Sequence, residues 1–77
     1  MNWEQCKNFG LIQIDPNNNT ILLYYGPYGW RLAGNPNFLT IENAIWQGAN
    51  LLVRGTDDYG NSLVYVMDDF NSYRRIV

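Results

Sequence analysis

Turn-forming residues interrupt this chain every few positions, and that spacing leaves room for short strands and little else. Between the apolar runs stand DPNNN (Asp15–Asn19), GPYG (Gly26–Gly29), GNPN (Gly34–Asn37), DDYG (Asp57–Gly60) and DDFNS (Asp68–Ser72). Proline at the second position of a turn presets its backbone angle, and asparagine and glycine accept the left-handed region that tight turns require. Eleven asparagines in 77 residues fit this pattern. The runs between the turns are rich in tyrosine, tryptophan and β-branched residues, which suit a pleated, half-buried surface.

Six segments read as strands on these grounds: Phe9–Ile14, Thr20–Tyr25, Trp30–Ala33, Asn50–Thr56, Asn61–Met67 and Tyr73–Val77. The clearest hairpin joins NLLVRGT to NSLVYVM through DDYG, where Gly60 can take the positive angle a longer hairpin loop needs. FLTIENAIWQG is ambiguous. As a helix, Thr40 caps it, Ile41, Ala44 and Ile45 form one face, and Gly48 stops it. As strands, Phe38–Ile41 and Ala44–Gln47 each fit a sheet, and the β-like flanks favour this choice. The expected fold is mainly β, a small antiparallel barrel or twisted meander of five to six strands. At most one short helix is expected, near residues 41–47.

The two halves share an order of strand, polar turn, Thr or Ser, strand, turn, aromatic and arginine. Thr20 answers Ser62, Tyr28 answers Phe70, Trp30 answers Tyr73 and Arg31 answers Arg74. The match needs gaps and rests on permissive residue types, so coincidence is the stronger reading.

A chain of this length forms one domain, 1–77, and buries only about 60–65% of its unfolded surface. Small scaffolds usually add disulfides, a metal or oligomerisation. Cys6 is the only cysteine and there is no histidine, so an internal disulfide is excluded and a structural zinc site nearly so. No cofactor is implied, and a homodimer becomes a reasonable expectation. The formal net charge of -2, with Lys7, Arg31, Arg54, Arg74 and Arg75 dispersed, disfavours binding to double-stranded nucleic acid. No stretch is long and apolar enough to span a membrane, and the first ten residues lack the pattern of a signal peptide. The chain reads as a cytoplasmic protein, with a phage or other mobile element as one candidate source.

Four of the seven acidic residues lie in the pairs Asp57–Asp58 and Asp68–Asp69. A calcium loop needs alternating oxygen ligands, a glycine and a distant glutamate. Here the acids are adjacent, and a strand between the pairs holds them roughly 25 Å apart at ~3.3 Å per residue. Turn formation is the better reading, and without a converging acid–base pair the chain is not expected to be an enzyme.

The aromatics around the second turn are the remaining candidates. Tyr24 and Trp30 flank GPYG, Tyr28 lies within it, and Arg31 follows. Tyrosine and tryptophan beside a rigid turn offer large contact area with little entropy to lose. For any one of them core packing is the stronger reading, with one or two of the cluster expected to face solvent. An arginine in the place of Arg31 is more often an edge-strand charge. The favoured function is a non-catalytic protein-binding module or small inhibitor acting by surface occupation. A self-associating structural subunit, and an aromatic surface for sugars or single-stranded nucleic acid, are the alternatives.

Overall fold

The chain opens with a helix that its first ten residues do not advertise. In the computed structural model, which describes residues 3–36 and 40–77, α1 spans Trp3–Phe9 and places Trp3 and Cys6 on its buried side. Seven residues are too few for a helix to hold alone. Glu4 in the first turn and Lys7 in the last suit the helix dipole, and the two side chains pair at 2.6 Å. Gly10 closes the helix at φ 68°, its N–H donating to the Cys6 carbonyl at 3.0 Å, as left-handed caps do. The strand expected to begin at Phe9 therefore starts only at Ile12.

Seven strands follow among the described residues: β1 (Ile12–Asp15), β2 (Thr20–Tyr24), β3 (Trp30–Gly34), β4 (Thr40–Gln47), β5 (Asn50–Thr56), β6 (Ser62–Asp69) and β7 (Ser72–Arg75). They form two antiparallel sheets, β1-β2-β3 and β4-β5-β6-β7. The mainly β meander is as expected. The strands number seven rather than five or six, and the sheets do not close into a barrel. Residues 41–47 are strand, and the short helix lies at the start of the chain instead.

β4 is one continuous strand. It pairs with β5 from Thr40↔Thr56 to Gln47↔Asn50, with a bulge between Ile41 and Asn43. Phe38 and Leu39, the start of the separate strand expected over Phe38–Ile41, lie outside the described residues. The two-residue loop Gly48–Ala49, with Gly48 at φ 61°, is what fixes that register. At the far end of β6 the strand runs through Asp68 and Asp69, so the last turn is Phe70–Asn71 and not the whole of DDFNS.

The inner faces of the sheets share one apolar core. Ile21, Leu23 and Ala33 enter it from the first sheet, and Leu51, Val53 and Met67 from the second. Trp3 binds α1 to the second sheet. Its indole N–H donates to the Ala49 carbonyl at 2.8 Å, and its ring meets Trp46 and Phe70 edge-on at 5.0 and 5.1 Å. Asn19, at φ 53°, ties the β1–β2 turn to β4, its side-chain oxygen accepting the Ile41 N–H at 3.1 Å.

Both halves contain a three-stranded meander, β1-β2-β3 and β5-β6-β7. The corresponding aromatics nevertheless differ in place. Trp30 pairs with Tyr24, whereas Tyr73 pairs with Met67, which is fully buried. The likeness between the halves is one of element order.

Candidate functional site

The turn after β2 is held by its own backbone. Tyr25 N–H donates to the Gly29 carbonyl at 3.0 Å and Gly29 N–H to the Gly26 carbonyl at 2.9 Å, with Pro27 inside a single 3-10 turn. Gly26 has φ 79°, and a Cβ there would sit 2.8 Å from the Phe9 ring. Only glycine allows the end of α1 to lean on this turn.

Around this fixed point the four sequence-derived candidates separate. Tyr24 and Trp30 are direct cross-strand partners, with ring centroids 5.3 Å apart and tilted 56°. Phe9 meets Tyr24 edge-on at 5.3 Å. Tyr28 instead stacks on Tyr25 at 5.8 Å, and Tyr25 packs against the core. Arg31 pairs with the fully buried Leu23, and so lies on the core side of β3. Its guanidinium stands 3.7 Å from the centroid of the Phe70 ring, in the turn that joins β6 to β7 of the second sheet. Tyr24 and Trp30 thus belong to one surface, Tyr28 to the turn tip and Arg31 to the seam between the sheets.

The surface that Tyr24 and Trp30 share is larger than the sequence reading allowed. Pairing aligns Leu11, Tyr24 and Trp30 in one row and Gln13, Leu22 and Leu32 in the next. Phe9 (48% exposed), Leu11 (51%), Trp30 (43%) and Leu32 (57%) are all open to solvent. Taking side-chain areas of roughly 150–250 Å², these four expose on the order of 400 Å². That falls within the ~300–600 Å² of the largest apolar patch on a typical monomer. The signal was present in the sequence: TILLYY is apolar at successive positions, the mark of a strand covered on both faces. Its inner residues, Ile21 and Leu23, are fully buried. Among the described residues the outer ones, Leu22 and Tyr24, are half-buried, with Phe9 against Tyr24 and no further element across them.

The outer side of the second sheet is different. There Glu42 pairs with Arg54 at 3.7 Å and accepts the Thr56 hydroxyl at 2.7 Å. Ile45, Leu52 and Val64 line only a shallow hollow, bordered by Asn43 and Arg54. Between the sheets a groove of about 550 Å³ runs along Gly10–Ile12 and Ala44–Trp46, with Lys7 at its rim. Trp46 lines it, and its indole N–H is buried with no acceptor among the described residues.

No family model, curated protein or solved structure matches this chain. Function is therefore argued from the chemistry of its side chains.

Three of the aspartates accept backbone N–H groups in or beside turns. Asp57 accepts the backbone N–H groups of Tyr59 and Asn61 at 2.9 and 2.8 Å. Asp15 accepts the Asn17 N–H at 2.9 Å and the Asn18 side-chain amide at 2.8 Å. These bonds hold both carboxyls below the usual carboxylate range. Asp69 accepts the Phe70 N–H at 2.8 Å. Among the described residues no three acidic or thiol side chains gather into a metal-binding group. Cys6 is fully buried, and burial pushes its thiol up from the ordinary value, an effect the nearby Arg31 charge partly offsets. A protonated, covered thiol is a poor nucleophile.

Proposed function

We propose that this chain is a non-catalytic protein-binding module that acts by laying the outer face of its first sheet on a protein surface. One observation carries the reading: among the described residues, a sheet apolar on both sides is covered on only one. Exposed aromatic and aliphatic side chains on rigid strands lose little entropy on contact, which favours their use as anchors. The side chains with reactive potential support the same view, since Asp15, Asp57 and Asp69 act as turn acceptors and Cys6 lies in the core. A single cysteine suits a reducing compartment such as the cytoplasm. Among the described residues no helix is long and apolar enough to cross a membrane. The 56° tilt between the Tyr24 and Trp30 rings offers no parallel platform for successive bases or sugars, so a protein surface is the better fit.

Site-specific photo-crosslinking in the native cell tests this. A photoreactive amino acid replacing Leu32 is expected to give discrete protein adducts, while the same group replacing Tyr59, 88% exposed at the other hairpin's tip, gives none. Equal labelling at both positions, or none at Leu32, would sink the reading.

A further inference from the structure

The outer face of the first sheet is self-complementary in composition. Phe9, Leu11, Leu22, Tyr24, Trp30 and Leu32 carry no charge, and Gln13 is the polar member of their rows. In a two-fold interface each group near the axis meets its own copy, so any charge there would face a like charge. An interface with a different protein has no such restriction, and commonly uses opposite charges for steering and register. The nearest charges are directed elsewhere. Glu4 and Lys7 neutralise each other on α1, Asp15 turns into its own loop, and Arg31 points to Phe70.

The four main residues expose ~400 Å², about half of the ~800 Å² that each partner buries in a standard interface, so the contact this face supports is a small one. A chain of 77 residues without an internal disulfide also has a thin stability margin, which association of copies commonly supplements.

We infer that the partner is a second copy of this chain. The first sheets of two molecules stack face to face about a two-fold axis, with Leu22 and Tyr24 of the central strand nearest the axis and Leu11, Trp30 and Leu32 beside them. This rests on the reading of the face as a protein-binding surface and names its occupant.

Light scattering on the purified full chain during size exclusion decides it. The expected mass is twice the monomer's 9.0 kDa. Leu32→Glu and Leu11→Glu each return it to the monomer value with the circular dichroism spectrum retained, and Tyr59→Glu leaves the dimer intact. Should a glutamate variant fail to fold, Leu32→Gln serves, with a dimer dissociation constant raised at least about tenfold. A monomeric wild type, or a dimer indifferent to substitutions at Leu32 and Leu11, overturns the inference. The crosslinking experiment separates the two levels of failure. A monomer whose Leu32 position still labels a different protein leaves the binding face standing and removes only the second copy. A monomer that labels nothing removes both.

Discussion

Asp57 turns its carboxylate back on its own loop, and Asp15 does the same in the β1–β2 turn. Both have pKa values lowered by the hydrogen bonds they accept. A carboxyl whose folded pKa lies below its unfolded value adds stability above the unfolded value, and loses it as pH falls through the folded one. The Asp15→Ala, Asp57→Ala double variant should therefore melt below the wild type at neutral pH. The gap should narrow once pH drops below about 4, the unfolded value of aspartate. Thermal melts across acidic pH check this, and a gap that stays constant would show that the carboxylate charge is not the cause. The role of these acids was legible from the sequence, because an Asx turn involves residues two to four apart. The direction of Arg31 was not. Its neighbour in space, Phe70, is remote along the chain, and only the pairing of β3 with β2 turns Arg31 inward.

Individual elements were legible where local chemistry dominates. Asn50–Thr56 has the pattern of a strand and is one, because alternation and flanking turns agree there. The segment 40–47 satisfies both a helix and a strand pattern, and pairing with β5 resolves it through the turn at Gly48–Ala49. Gly48 occupies φ 61°, a conformation that costs an ordinary L-residue roughly 1–2 kcal/mol and a β-branched one at least as much. Gly48→Val should lower the unfolding free energy by about that amount in urea titrations, with Gly48→Asn markedly milder. Equal effects from the two would mean that side-chain volume, not backbone angle, governs the position. α1 was missed for the opposite reason. Its sequence has no strong helical period, and it forms because Trp3 and Cys6 find a core to enter. Short helices depend on such packing.

For the molecule as a whole, the two sheets are joined through Trp3 and through Arg31 over Phe70. A double-mutant cycle with Arg31→Ala and Phe70→Leu should show a coupling of about 0.5–2 kcal/mol, as a partly desolvated cation–π contact gives. Both single variants should still unfold in one transition, since a shared core makes the sheets cooperative. Additive effects would place Arg31 outside the inter-sheet contact. The free outer face belongs to this scale too. Tyr24 and Trp30 were picked out by sequence as a possible contact surface, but Phe9, Leu11, Leu22 and Leu32 became part of it only through register and the absence of a covering layer. By itself the sequence determined the turns, most of the strands and the mainly β class, because these follow from interactions a few residues long. Tertiary structure decided the state of residues 3–9 and 40–47, the inward turn of Arg31, and which apolar face stays open. Those outcomes depend on which surfaces meet in space, and residues far apart in sequence supply one side of every such meeting.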